Sequence, residues 1–330
     1  MKESSWQEDT RRLGLPVQTD QVGRRLDEFL AAKFPFFSRA SWQREILNGV
    51  VLINGLKARK PSQRLHLGDQ LRRLHPFEEE PLVDTDMTII WCDGELAALK
   101  KPAGLPMHEA GYFRRRTVAG VLPRILGEGW TPVHRLDRET SGLLLCARQP
   151  AIRARLTEMW TLKQVTKSYL AVMEGVPTEN MWTVDLPIKA ERKLRTNRAE
   201  ISDEGTSAIT NFRVIKRGNN ATLVEARPIT GKTNQIRLHA ANCGYPLIGD
   251  KVYGKNTNIL EIYRSEGNTD RVKELAGFAR HALHAWKLSL FHPISRQELH
   301  LECPPPEDFL NLCFQQNLLS HDQDSNWLRI

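Results

Sequence analysis

A chain of 330 residues with 40% hydrophobic and 26% charged residues has the composition of a soluble globular protein, with room for two domains of unequal size. Its longest apolar runs, such as Gly142 to Ala147, fall far short of the roughly 20 residues that cross a bilayer, and the start, Met1-Lys2-Glu3-Ser4-Ser5-Trp6, lacks the apolar stretch of a signal peptide; a cytoplasmic protein with no membrane partner is expected. The formal charge of +8 suggests a polyanionic partner, and its distribution says more: between Arg24 and Arg73, eleven Lys and Arg stand against four Asp and Glu, nearly the whole excess of the chain.

Residues 1–17 are polar without periodicity and predict a loose tail. Residues 18–80 read as a small independent α/β module. Leu26, Phe29, Leu30 and Phe34 recur at helical spacing, and Ser38 is placed to cap a second helix through Trp42, Ile46 and Leu47, which Gly49 ends. Val50–Ile53 reads as a strand, Asn54-Gly55 as a hairpin turn, and Gly68-Asp69 as a turn before Gln70–Leu74. The acidic run Glu78-Glu79-Glu80-Pro81 opens an expected linker over 81–87.

From 88 to 305, strand-like segments at Thr88–Trp91, Leu96–Leu99, Gly142–Ala147, Lys167–Val172 and Ala221–Ala226 mix with helices at 151–163 and Gln235–Cys243. Regular βαβ alternation is missing. The pattern predicts an α+β domain around a mixed, mostly antiparallel sheet with flanking helices. Residues 306–330, after a triple proline, predict a short helix and a tail. The five cysteines, at 92, 146, 243, 303 and 313, are odd in number and never at Cys-x-x-Cys spacing; they predict reduced, buried side chains rather than disulfides or a metal site.

The chemistry concentrates in Pro132-Val133-His134-Arg135-Leu136-Asp137-Arg138-Glu139-Thr140-Ser141-Gly142, a charged loop running straight into an apolar strand. A carboxylate at the mouth of a rigid strand is well positioned, and the flanking Arg135 and Arg138 favour its ionised form. An isolated loop Asp is otherwise a turn residue in most proteins. A Tyr on a strand at 169 and an Arg on a helix at 237 likewise have ordinary readings, as a half-buried strand side chain and as half of a surface salt bridge.

Taken together these residues resemble the RluA-type RNA pseudouridine synthases. His134-Arg135-Leu136-Asp137 with Thr140-Ser141-Gly142-Leu143 is similar to the family's signature loop, Lys167-Ser168-Tyr169 to its strand tyrosine, and Gly231-Lys232-Thr233-Asn234-Gln235-Ile236-Arg237 to its Gly-Arg-Thr-(His/Asn)-Gln-Ile-Arg segment. Lys232 departs from the usual Arg, keeping the charge but losing the planar fork; it is expected to lie away from the reacting atoms. The matches extend to Lys100-Lys101-Pro102-Ala103-Gly104, Gly249-Asp250-Lys251-Val252-Tyr253-Gly254 and His281-Ala282-Leu283-His284, which read as structural. Arg25–Leu30, Ser38-Arg39 and Val50–Gly55 follow the pattern of S4-like RNA-binding domains.

The resemblance implies Asp137 as catalytic carboxylate, Tyr169 packed against it and the target base, and Arg237 clamping the carboxylate. It implies Arg135, with His134, Lys232, Asn234 and Gln235, on the substrate, and Arg39, Arg44, Lys57, Arg59 and Lys60 on RNA phosphates. A basic stretch from Lys189 to Arg198 extends that track or is a solvated loop. The implied partner is RNA, ribosomal RNA favoured and transfer RNA open, with the protein acting as a monomer. Isomerisation adds no atoms, so no cofactor or metal is expected. Two other classes fit parts of the pattern. One is an RNA-binding protein with a dead synthase domain, which the joint presence of Asp137, Tyr169 and Arg237 argues against. The other is a glycosidase, which needs a second positioned acid about 5–9 Å from the first, for which Glu139 is the only sequence neighbour.

Overall fold

The computed structural model describes residues 10–12, 16–34, 37–74, 80–110, 113–190, 198–256 and 258–320. Its contacts divide the chain into two units, Met1–Glu79 and Glu80–Ile330. Arg192, Lys193 and Arg195 of the basic stretch lie outside the described residues.

The first unit holds β1 (Thr10–Arg12), α1 (Leu26–Lys33), α2 (Arg39–Leu47), β2 (Val51–Ile53), β3 (Leu56–Lys57) and β4 (Leu71–Leu74). Its antiparallel sheet runs β1-β4-β2-β3. Ser38 caps α2 by accepting from Ser41 N at 3.2 Å. Asn54 and Gly55 both take positive φ, 53° and 85°, which gives the tight turn between β2 and β3 the twist its strands need. Leu26, Leu30, Trp42, Ile46, Val51 and Leu65 form the core, each almost wholly shielded from water. Burying one such side chain stabilises the fold by about 1.5–3 kcal/mol.

The second unit continues with β5 (Thr88–Cys92), β6 (Leu96–Lys101), α3 (Val118–Leu126), β7 (Thr131–Pro132), β8 (Ser141–Ala147), α4 (Pro150–Thr161), β9 (Thr166–Glu174) and β10 (Met181–Asp185). A separate hairpin, β11 (Ile188–Ala190) and β12 (Ala199–Ile201), follows. Then come β13 (Ile209–Arg217), β14 (Ala221–Pro228), α5 (Gln235–Asn242), α6 (Asn258–Glu266), α7 (Asp270–Ala276), β15 (Leu283–Phe291), β16 (Glu298–Glu302) and α8 (Glu307–Gln315). The ten-stranded sheet has the order β10-β13-β14-β9-β15-β8-β6-β5, with β16 on β15 and β7 on β8. Among the described pairings only β8 with β15 is parallel.

That parallel junction positions the site. Gly142, φ 113°, faces Ala285 so closely that a Cβ there would lie 2.2 Å from the Ala285 carbonyl oxygen. Only glycine lets β8 and β15 meet, and their meeting fixes where the loop before β8 ends. Tyr169 on β9 sits opposite Ala285 in the next register, so loop and tyrosine are neighbours across one strand.

Three expectations need correction. Residues 81–87 belong to the second unit, where the apolar Met87 is buried in the same core as Leu96 and Leu105. The loose tail expected over residues 1–17 is folded where it is described: Thr10–Arg12 pairs with β4 and Val17 is buried in the core of the first unit. The helix expected after the triple proline is present as α8, whose Phe309 and Leu312 pack with Leu170, Leu223 and Trp286 of the sheet. Cys92 is exposed at the end of an edge strand, whereas Cys146, Cys303 and Cys313 are buried. Among the described residues no helix is long and apolar enough to cross a membrane.

Candidate active site

A cavity of about 320 Å³ opens where the loop before β8 meets α4, β9 and the start of α5. Asp137, Tyr169 and Arg237 all line it, together with His134, Arg135, Lys232, Asn234 and Gln235. One carboxylate, Asp137, stands among its lining residues.

Sequence adjacency singles out Arg135 and Arg138 as the cations beside Asp137, but the side chain that reaches it is Arg237. Arg237 Nη1 donates to Asp137 Oδ2 at 3.1 Å. This is a single contact rather than a two-pronged one. The two-pronged pairing goes to Asp250: Nε to Oδ2 at 2.7 Å and Nη2 to Oδ1 at 2.8 Å. Asp250 Oδ1 also accepts from the Val252 and Tyr253 amides at 2.9 and 3.0 Å. Burial opposes the charge on Asp250, yet Arg237 beside it holds its carboxyl well below the usual range. Asp250 thus fixes the guanidinium, and the remaining Nη1 is left aimed at Asp137 and at Asn234 Oδ1, 2.9 Å away. Asn234 turns the chain into α5 from the left-handed region, φ 57°, which Asn tolerates better than most residues.

The loop carrying Asp137 is pinned from several sides. Lys101 is fully buried, and its Nζ donates to the carbonyls of Pro102, Leu105 and Arg138 at 2.8, 2.8 and 3.1 Å. Burial and the nearby Arg280 push this amine down to about 7, while three carbonyl partners match the three N–H bonds of an ammonium. Gly104 N donates to the same Arg138 carbonyl at 2.8 Å. Arg280, paired with Asp308 of α8 at 2.7 Å, gives Nη1 to the Glu139 carbonyl at 3.3 Å. Glu139 itself faces Lys251, 3.1 Å from each carboxylate oxygen, and the His281 amide at 3.2 Å. Its side chain is therefore turned away from the cavity, which removes the second acid a glycosidase would require. Arg138 turns to the Tyr263 hydroxyl at 2.7 Å.

Other expected substrate residues prove to be structural in part. Gln235 is buried; its Oε1 accepts from Thr230 Oγ1 and Lys232 N, and its Nε2 donates to Ile209 O and Thr210 Oγ1. With every position filled, it shapes the loop rather than reading a substrate. His134 Nε2 accepts from Leu145 N at 3.0 Å, and its ring stacks on Trp160 with centroids 5.1 Å apart. Burial and Lys167 push its pKa down to about 4, so it is a neutral acceptor at pH 7. Lys232 also lines the cavity. Tyr169 offers its ring to the same space, and burial together with the Asp137 charge pushes its phenol up, keeping it protonated. His281 and His284 use both ring nitrogens on protein groups: Thr140 and Glu139 for the first, Ser141 and the Cys303 carbonyl for the second.

In the first unit Arg44, Lys57, Arg59 and Lys60 are exposed. Arg39 is not a free phosphate contact: Asp27 takes its Nε at 3.0 Å and Glu28 its Nη2 at 3.0 Å, because Asp27 is itself buried and needs cations.

A single carboxylate held by a buried guanidinium thus shares its cavity with Tyr169 at the seam of a mostly antiparallel sheet. The chain belongs to the RNA pseudouridylate synthase family, which it matches over residues 95–242, in the RluA-type branch, and its N-terminal unit matches the S4 domain over residues 24–71. Its relatives include ribosomal large subunit pseudouridine synthase D of Salmonella typhimurium, 32% identical over 327 residues that cover 96% of this chain and 98% of that one. The protein of the same name from Escherichia coli strain K12 is 33% identical over 328 residues, with 96% and 98% covered. Among solved structures, human RNA pseudouridylate synthase domain containing 4 is similar with a TM-score of 0.56 at 27% identity, over 70% of this chain and 94% of that one. The protein is thus an RNA-modifying isomerase.

Proposed function

We propose that this enzyme isomerises uridine in ribosomal RNA, acting as a single cytoplasmic subunit without a cofactor and with Asp137 as its catalytic carboxylate. The observation that carries this reading is the solitary carboxylate of the cavity, held by Arg237 and facing Tyr169. The names of the bacterial relatives support ribosomal RNA as the target class.

Pseudouridine formation exchanges an N1–C1′ bond for a C5–C1′ bond. The base must leave the helical stack to expose the ribose. Arg135, exposed at the cavity rim, occupies the space it vacates. Ionised Asp137 acts at the sugar, by attack on C1′ or by removal of the C2′ proton; both routes require one carboxylate and no second acid. The released uracil turns against the Tyr169 ring, C5 bonds to C1′, and the C5 proton leaves while N1 is protonated. The phenol stays protonated at neutral pH, so Tyr169 relays that proton through its hydroxyl rather than receiving it as a standing phenolate. The exposed Arg44, Lys57, Arg59 and Lys60 contact RNA phosphates and orient the substrate.

The test is a pseudouridine map of total RNA from cells with and without the gene, repeated with purified protein on unmodified RNA. Loss of sites in ribosomal RNA is expected; loss in transfer RNA alone would replace the substrate. Asp137→Asn is expected to abolish turnover while RNA binding persists, and wild-type turnover by that variant would remove Asp137 from its role.

A further inference from the structure

Three consecutive backbone amides converge on one carboxylate outside the cavity. Glu80 Oε1 accepts from Arg114 N at 2.8 Å and Arg116 N at 2.6 Å, and Oε2 from Arg115 N at 3.2 Å. Arg116 Nη1 adds a bond to the Glu80 carbonyl at 2.6 Å. Successive N–H groups turned to one point make a nest, a concavity that binds anions. Burial works against the charge of Glu80, and the amides of Arg114, Arg116 and Arg115 more than offset it, keeping the carboxyl below its ordinary range. The same three residues carry three guanidinium groups, and Arg115 is exposed.

The nest is joined to the catalytic loop. Phe113, just before it, is buried with the Arg138 guanidinium 5.7 Å from its ring centre, and Arg138 follows Asp137 in sequence. Thr117, just after it, caps α3 by accepting from Gly120 N at 3.1 Å. Amide donors and guanidinium groups together suit a phosphate better than a carboxylate, since a phosphate has more acceptor oxygens to satisfy. Glu80 takes the three amides and, through its carbonyl, one guanidinium bond from Arg116, while Arg115, between Arg114 and Arg116, is exposed.

We propose that the Arg114–Arg116 nest is a binding site for a backbone phosphate of the substrate RNA, and that Glu80 is an internal stand-in which the phosphate displaces. The proposal rests on RNA being the substrate. Displacement returns the Glu80 carboxylate to water while the phosphate sheds condensed counterions. Glu80 therefore weakens RNA binding by holding part of the population closed. A purely structural clasp, in which Glu80 orders the loop for RNA, requires the opposite sign.

The experiment uses the full chain and an unmodified RNA that the wild type turns over. RNA affinity is read by fluorescence anisotropy across a salt series for wild type, Glu80→Gln and Arg115→Ala. Gln keeps the size of Glu80 but sets an amino group against an amide donor. Glu80→Gln is expected to bind RNA roughly three- to tenfold tighter, with an unchanged log–log salt slope, because the phosphate contact is made in both complexes. Its kcat stays at the wild-type value. Arg115→Ala is expected to bind more weakly with a shallower slope. Weaker or unchanged binding by Glu80→Gln overturns the proposal. Inorganic phosphate at constant ionic strength should compete with RNA more strongly in Glu80→Gln; phosphate binding with unaltered RNA affinity would assign the nest to a free anion and also overturn it. Wild-type turnover of the same RNA separates the two readings, because its failure strikes the substrate class, whereas the sign of the Glu80→Gln effect strikes the nest.

Discussion

Replacing Asp250 by Asn isolates the part of the site that holds the catalytic arginine. Both carboxylate oxygens of Asp250 act only as acceptors, Oδ2 from Arg237 Nε and Oδ1 from Arg237 Nη2 and two backbone amides. Whichever way an Asn is turned, its amino group meets a donor. The variant also leaves the buried Arg237 with Asp137 and the more weakly felt Glu139 as counter-charges. Breaking a buried pair by neutralising one partner costs about 3–5 kcal/mol, a large share of a typical folding stability of roughly 5–15 kcal/mol. For a unit of this size the expected fall in Tm is roughly 6–20 °C. At temperatures where circular dichroism shows the variant folded, kcat should fall about 100-fold with KM little changed, because Nη1 is no longer aimed at Asp137. Urea unfolding gives the stability and single-turnover conversion of uridine gives the rate. A variant within 1 kcal/mol of wild type that also turns over within threefold of it would refute the reasoning, since Asp250 would then neither need its charge nor orient Arg237.

Tyr169→Phe keeps the ring and removes the hydroxyl; RNA affinity should hold while single-turnover rate falls about 100-fold, and a rate within threefold would leave Tyr169 as a stacking surface alone. Gly142→Ala places a Cβ 2.2 Å from the Ala285 oxygen, so the β8–β15 junction must open; loss of turnover with RNA binding retained is expected, and an unaffected rate would show that this junction does not set the loop. His284 is buried, and burial pushes its pKa down to about 3. The folded state therefore binds fewer protons than the unfolded state between about pH 6.5 and 3, so stability rises with pH across that window and is lost as pH falls through it, by about 1.4 kcal/mol per pH unit from this group. Denaturant titrations from pH 7 to 4 should show a shallower loss for His284→Asn, and identical slopes would contradict the assignment.

The position of Asp137 is legible because a long run of residues, His134 through Leu143, must meet several constraints in one loop. Its electrostatic partner is legible only through the family resemblance, which names Arg237; adjacency alone points to Arg135 and Arg138, yet neighbours in a loop point in different directions, and Arg138 goes to Tyr263. Asp250 carries a signal that sequence reading underuses. An acid between Leu247-Ile248 and Val252 sits in an apolar stretch, and a carboxylate there demands a buried cation. Gln235 misleads in the other direction, since a polar side chain beside a catalytic residue suggests contact with substrate while its hydrogen bonds all stay within the protein. The antiparallel sheet follows from the missing βαβ rhythm. The strand β15 does not stand out, because His284 and Lys287 interrupt its apolar pattern and find hydrogen-bond and ion-pair partners across the sheet.

The partners of the catalytic loop lie far along the chain: Arg237 is 100 positions from Asp137, and Arg280, itself held by α8, is 141 positions from Glu139. The N-terminal unit closes its core with residues 17 to 71 alone. Chains fold from the N-terminus as they are made, and distant contacts form last. Each new molecule therefore completes its basic unit well before its catalytic loop is assembled, so that in the order of synthesis grip comes before chemistry.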